Sequence, residues 1–183
     1  MKYLYEKLCV AVLLVFAGSS FASENPVYSD SAARLTINAV DSGNVPGIFQ
    51  DVVIEHAQDD LWRLVSMREG KLMPHIDTVE VVKSGTVPMQ IFLKISGEFP
   101  HGCGQIGEIS QRQTDKKFVV SVYFKNDLWL QNPLEVACTL AIRPFSHVIP
   151  LQAYGLAAGQ YEYVLNEKFS GVFSLDTHNV LSN

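Results

Sequence analysis

Cysteine and histidine are the residues of this sequence whose types could do chemistry. The chain has three cysteines, Cys9, Cys103 and Cys138, and His101 lies two residues before the second of them. A thiolate activated by a histidine can act as a nucleophile, whereas two cysteines in an oxidising compartment form a disulfide. Closeness in sequence is a poor indicator of a catalytic pair, so the choice depends on where the protein resides.

The other chemistry-bearing residues do not form a recognisable motif. CxxC and HExxH are both missing from the sequence, as are GxSxG, SxxK and a glycine-rich phosphate loop. Asp59 and Asp60 are adjacent carboxylates, but adjacent strand residues point to opposite faces and turn residues face water. The sequence therefore predicts no catalytic residue, no metal site and no cofactor. The five histidines are His56, His75, His101, His147 and His178.

The first 22 residues are typical of a signal peptide. Lys2 and Lys7 give a positive start, residues 8–17 are apolar, and Ser20-Phe21-Ala22 has small residues at the positions that signal peptidase reads. The apolar run is too short to span a bilayer, which needs about 20 residues. We expect cleavage after Ala22, a periplasmic or secreted protein, and no membrane span in the mature chain.

Export would remove Cys9 and leave Cys103 and Cys138 as an isolated pair. In an oxidising compartment such a pair is best explained as one disulfide. Closing a loop of this length would stabilise the fold by about 3–4 kcal/mol. The alternative is an enzyme in which Cys103 or Cys138 stays free.

The charge of the chain argues against a nucleic-acid partner. Loss of Lys2, Lys7 and Glu6 would take the formal net charge from −5 to about −6. Nucleic acids and anionic membranes attract clustered lysine and arginine, and the basic pair Lys116-Lys117 is best explained as a solvated strand end.

Alternating apolar residues predict an all-β fold. Residues 89–95, 118–124 and 161–165 each place apolar side chains at every second position, which is typical of strands with one face on a core. Residues 161–165 and 169–175 flank the turn Asn166-Glu167-Lys168, so we expect a hairpin there.

The mature chain divides into four segments. Residues 23–33 are a flexible leader, residues 34–72 offer three N-terminal strands, residues 73–177 supply a full sandwich, and residues 178–183 are a tail. A separate core for the N-terminal strands would be marginal, so we favour docking on the sandwich over a separate subdomain. The polar chain beyond Leu175 has little to bury, and we expect it to fray.

One connection carries large apolar residues. Leu128, Trp129 and Leu130 lie between turn formers, where the chain is expected to run over the surface. Exposed aromatic clusters mark recognition sites, which makes these residues a candidate interaction loop. The alternative is a plug that covers one end of the sandwich.

The stretch Leu156-Ala157-Ala158-Gly159-Gln160-Tyr161-Glu162-Tyr163 resembles the start of a late strand in immunoglobulin-like and fibronectin type III-like domains. In those domains a leucine, a turn glycine and a tyrosine form a tyrosine corner, in which the hydroxyl bonds nearby backbone. The resemblance implies this role for Tyr161. An ordinary core tyrosine is the alternative.

The wider pattern from Pro88 to Leu175 is similar to sandwich domains of uncharacterised exported bacterial proteins. The resemblance implies an immunoglobulin-like Greek-key sandwich with additional N-terminal strands and a disulfide, and it implies no activity. Antibody-type domains pack a core tryptophan on a bridge between the sheets. Because Trp129 lies in a turn-like stretch, we expect the bridge to tie a loop to a strand. The pattern includes Gly97-Glu98-Phe99-Pro100, Cys103, Cys138, Arg143-Pro144-Phe145 and Val148-Ile149-Pro150-Leu151.

These observations favour a non-catalytic binding or interaction module whose partner is an unknown protein or envelope component. The alternative is an inhibitor of an exported hydrolase, either a protease or a lysozyme. Arg143-Pro144-Phe145 resembles one loop of the chagasin-like inhibitors of cysteine proteases, but the other two inhibitory loops of that family have no counterpart.

Overall fold

The computed structural model describes residues 26–57, 60–125 and 137–181, which form eleven strands and no helix. No helix in these ranges is therefore long and apolar enough to cross a bilayer. The strands are β1 (Val27–Ser29), β2 (Arg34–Ser42), β3 (Val45–His56), β4 (Trp62–Glu69), β5 (Ile76–Lys83), β6 (Ile91–Phe99), β7 (Gln105–Thr114), β8 (Lys117–Lys125), β9 (Arg143–Leu151), β10 (Gly159–Leu165) and β11 (Phe169–Leu175).

Strands β5 to β11 form a two-layer sandwich. One layer has the order β5-β6-β9 and the other has the order β11-β10-β8-β7. Alternate residues of β6, among them Leu93 and Ile95, are buried against residues such as Val120 and Val122 of β8. The structure thus explains why apolar residues alternate in the sequence, because each strand turns one apolar face toward the core. The predicted all-β sandwich is confirmed.

The last two strands form the predicted hairpin. Tyr161 lies opposite Phe173 in the antiparallel pair of β10 and β11, and their rings stack with centroids 5.5 Å apart. Asn166 and Glu167 adopt positive φ in the connecting turn, a conformation that asparagine tolerates better than most residues. The turn therefore fixes the register that places the aromatic pair in the core.

One strand pair departs from the immunoglobulin-like pattern. β8 and β10 run parallel, with Phe118 opposite Tyr163, whereas every other strand pair among the described residues is antiparallel. Immunoglobulin sheets are antiparallel throughout. The β-sandwich is thus established, and its immunoglobulin-like Greek-key type stays a prediction.

Strands β1 to β4 form a four-stranded N-terminal sheet in that order, which lies against β7 and β8. The buried Tyr123 hydroxyl donates to the Pro46 carbonyl at 2.5 Å. Arg112 of β7 adds a 3.4 Å ion pair to Asp41. Burial is the main cause that raises the pKa of Tyr123 above 10.0, so the hydroxyl keeps its proton and donates at neutral pH.

Replacing Tyr123 by phenylalanine tests this contact between the two sheets. The change leaves the Pro46 carbonyl without its buried donor, and we expect the free energy of unfolding to fall by about 1–2 kcal/mol. Urea titration measures the effect, with Tyr154→Phe as a control because Tyr154 is exposed. Equal stability of the two variants would contradict the contribution assigned to this hydrogen bond.

The expectation that the chain frays beyond Leu175 was wrong for residues 176–181. Asn179 is only 2% exposed, and its Oδ1 accepts from the Met89 amide at 2.5 Å. Its Nδ2 donates to the carbonyls of Met89 at 2.9 Å and Ala153 at 2.8 Å. Those groups lie just outside strands, so they need partners from elsewhere, and one asparagine side chain supplies both donor and acceptor.

Strand β4 is an edge strand on which every described residue is exposed. Trp62, Leu64, Val65 and Met67 are 46–55% exposed. Arg63 interrupts this apolar row, Arg68 and Glu69 follow it, and the register between β3 and β4 shifts twice. Charges and bulges are features that keep sheet edges from pairing with other chains.

Candidate binding cleft

A polar cleft of about 400 Å³ lies where the N-terminal sheet meets the sandwich. We call it the junction cleft. Strands β2, β3 and β4 line one side, and β7 and β8 line the other. Clefts between packed units are common places for ligand sites. The lining residues are Asn38, Gln50, Asp51, Arg68, Gln105, Ile106, Gly107, Glu108, Phe124 and Lys125.

Both walls of the junction cleft are irregular where they line it. The register of β3 against β4 shifts between Gln50 and Val53, and that of β7 against β8 shifts between Ile106 and Ile109. Asp51, within the first irregularity, has a φ of 52°. Bulges re-aim side chains and are frequent beside functional sites, and left-handed non-glycine residues cluster at such sites too. Two irregular walls at one cleft mark it as the candidate site.

The charges in the junction cleft balance one another. The Arg68 Nε lies 2.6 Å from the Asp51 Oδ2. Glu108 and Lys125 add one further charge of each sign, and both make interactions of their own. Because the two signs are equal in number, the cleft offers no excess charge to a phosphate or a free ammonium group.

Side-chain amides supply the remaining polar groups of the cleft. Asn38, Gln50 and Gln105 each carry an amide with two N–H donors and a carbonyl acceptor, and Asn38 already makes an interaction of its own. Gln50 is 3% exposed, and its Nε2 makes a long hydrogen bond of 3.5 Å to the Gly47 carbonyl. Phe124 also lines the cleft, but its ring packs toward the sandwich core, against Phe99 and His101. This arrangement can bind a neutral ligand that carries hydroxyl groups.

Among the described residues, the predicted site residues Cys103, Cys138 and Tyr161 do not line the junction cleft. Two sequence features could have pointed to it. Gln50-Asp51 interrupts the apolar alternation of β3, and Gly107 lies inside an otherwise regular strand, which is a sign of a bulge. Neither feature shows that the two strands meet.

The predicted disulfide between Cys103 and Cys138 is present, with an S–S distance of 2.06 Å and a Cα–Cα distance of 5.4 Å. Both cysteines lie outside strands, Cys103 before β7 and Cys138 before β9. The bridge therefore joins two connecting segments. The expectation that it ties a loop to a strand was wrong, because β9 begins only at Arg143. In this form neither sulfur is a free thiol.

Tyr161 has the geometry that a tyrosine corner requires. It is buried, and its hydroxyl donates to the carbonyl of Ala157, four residues upstream, at 2.9 Å. This bond pairs backbone in the connection that leads from β9 to β10.

Two other predicted features remain. Leu128, Trp129 and Leu130 lie outside the described residues, so the interaction loop stays a prediction. Arg143-Pro144-Phe145 opens strand β9. There the Arg143 guanidinium lies 4.7 Å from the centre of the Phe99 ring, and it also donates to the Gly104 carbonyl. These contacts hold the tripeptide against the sandwich.

The fold and cleft together define an all-β sandwich protein with an added sheet. Residues 93–175 match the family model of the ORF11 beta-sandwich domain. The match begins inside β6 and ends at the last residue of β11, so it leaves out β5 and the N-terminal sheet. No curated protein and no solved structure matches the chain.

Proposed function

We propose that this chain is a non-catalytic, exported binding module whose junction cleft holds a neutral, hydroxyl-rich ligand, namely a segment of a cell-envelope glycan. The observation that carries the proposal is the combination of three amide-bearing residues and balanced charges in a single cleft. Each hydroxyl group both donates and accepts hydrogen bonds. A side-chain amide can accept from a hydroxyl group through its oxygen and donate to it through its N–H groups.

The ion pair between Asp51 and Arg68 supports a binding role over catalysis. A glycoside hydrolase uses one carboxyl group as a proton donor and a second as nucleophile or base. Here Arg68 already holds the Asp51 carboxylate at 2.6 Å, which suits a fixed hydrogen-bonding wall better than proton transfer. Asp51 then orders the cleft and does not react.

Export is supported by two features of the chain. The first 22 residues have the charge and hydropathy of a signal peptide, and the bridge between Cys103 and Cys138 is of a kind that persists in oxidising compartments. Envelope glycans are the hydroxyl-rich polymers that an exported protein meets in quantity.

Calorimetric titration of the purified protein with neutral oligosaccharides tests the proposal. Chito-oligosaccharides and malto-oligosaccharides are suitable probes, and we expect saturable binding to at least one series. Gln105→Ala removes a cleft amide and should weaken that binding about tenfold, which corresponds to about 1.4 kcal/mol. Gln113→Ala is the matched control, since Gln113 lies on the same strand outside the cleft and bonds the Asp115 carbonyl.

Three results would contradict the proposal. Both oligosaccharide series could fail to bind, or Gln113→Ala could weaken binding as much as Gln105→Ala. Chromatography of the titrated sugars provides the third, because release of shorter products by the protein would show that it is catalytic.

A further inference from the structure

We propose that opening of the Cys103–Cys138 bridge creates a site for a single Cu(I) ion, made of the two thiolates and the imidazole of His101. The bridge and His101 lie beside each other although they belong to two connecting segments. One candidate sulfur or nitrogen ligand atom from each of the three residues lies within 4.8 Å of the other two. All three residues are half-buried.

His101 has the features expected of a metal ligand. Its Nδ1 is buried and has no hydrogen-bond partner in the part of the chain that the structure describes. A buried imidazole nitrogen without a partner is costly. The ring is also held in place, since its edge meets the Phe124 ring with centroids 6.2 Å apart at 78°. A bound cation would give this nitrogen a partner.

Contacts that do not involve the bridge hold the two segments together. The Gly102 amide donates to the Thr139 carbonyl at 2.9 Å, and Arg143 donates to the Gly104 carbonyl. A Cβ at Gly102 would lie 2.3 Å from the Thr139 Oγ1, so a larger residue would require the Thr139 side chain to move. The two thiols should therefore stay near each other and near His101 after reduction.

Reduction of the bridge requires an external dithiol as the reductant. The dithiol transfers two electrons and two protons to the bridge, which yields the thiols of Cys103 and Cys138, and it leaves as a cyclic disulfide. A metal ion then displaces the two thiol protons when the thiolates bind. Thiolates select soft ions such as Cu(I), which accepts three ligands. Zn(II) in structural sites takes four, so the ligand count favours Cu(I).

Competition for copper measures the site directly. The protein is reduced with dithiothreitol, desalted without oxygen, and titrated against the Cu(I) complex of bathocuproine disulfonate. We expect the reduced protein to withdraw one Cu(I) per chain and the oxidised protein to withdraw none. His101→Gln should weaken Cu(I) binding about tenfold or more, a loss of about 1.4 kcal/mol, whereas His75→Gln, which changes an exposed histidine, should not.

Several outcomes would overturn the inference. The reduced protein could leave all copper with the chelator, or His101→Gln could bind as tightly as the unchanged chain. Tighter binding of Zn(II) than of Cu(I) would overturn the choice of Cu(I), which rests on the number of available ligands. Far-ultraviolet circular dichroism completes the test, because a reduced chain that unfolds and does not regain its strand spectrum with Cu(I) has no such site.

Discussion

Replacing Asn179 by alanine is expected to lower the free energy of unfolding by about 3–5 kcal/mol. The side chain is buried and satisfies the amide and the carbonyl of Met89 together with the carbonyl of Ala153. Alanine supplies no side-chain donor or acceptor, so the part-buried amide and carbonyl of Met89 would lose their partner, and the Ala153 carbonyl would keep only a 3.4 Å bond from the Leu156 amide.

Chemical denaturation followed by intrinsic fluorescence measures the Asn179 effect. Asp176→Ala is the matched control, since Asp176 is an exposed residue of the same segment, and it should change stability by no more than about 0.5 kcal/mol. Asn179→Asp keeps an acceptor for the Met89 amide and loses both donors, so it should also destabilise. If Asn179→Ala matched the control, the segment after β11 would not be docked in solution.

Removing the disulfide is expected to lower the free energy of unfolding by about 3–4 kcal/mol. The bridge closes a loop between residues 35 positions apart, and its loss gives the unfolded chain more conformations. The double variant with Cys103→Ser and Cys138→Ser tests this in urea without reductant. Dithiothreitol should bring the unchanged chain to the same midpoint as the double variant.

The disulfide prediction has a separate readout. Peptide mapping without reductant should recover the two cysteines in one linked peptide pair. An unchanged denaturation midpoint in dithiothreitol, or two free thiols in the map, would contradict the bridge. Two free thiols would also revive the hypothesis of an enzyme that uses Cys103 or Cys138.

Local pattern was sufficient to predict the strands and the final hairpin. Residues 89–95 alternate in the sequence, and β6 buries Ile91, Leu93 and Ile95 with the same period. Asn166 marks the turn because it combines turn propensity with tolerance of positive φ. These features depend on residues close together in the chain, which is why a single sequence reveals them.

Long-range partners could not be predicted in the same way. The parallel pairing of β8 with β10 brings together strands separated by an excursion into the other layer. The polar tail looked unstructured because nothing in its composition indicates that Asn179 meets Met89, 90 residues away. Pairings of this kind depend on the complete topology.

The junction cleft could not be predicted from the sequence for a related reason. The junction cleft lies where β3 and β7 both shift register, at the place where the two sheets meet. Residues that could react can be recognised in the sequence, whereas this cleft is lined by ordinary amides such as Gln50 and Gln105. A cysteine or histidine motif can be recognised from the sequence alone. A set of amides forms a site only when the fold brings the residues together.

Binding of a neutral glycan in the junction cleft is tested most directly by nuclear magnetic resonance. Proton–nitrogen correlation spectra of the isotope-labelled protein are recorded while the oligosaccharide that binds best in calorimetry is added. The side-chain amide signals of Asn38, Gln50 and Gln105 should shift together with one affinity, while that of Gln113 stays in place. Shifts confined to other surfaces, or no shift at saturating sugar, would contradict the proposed role of the cleft.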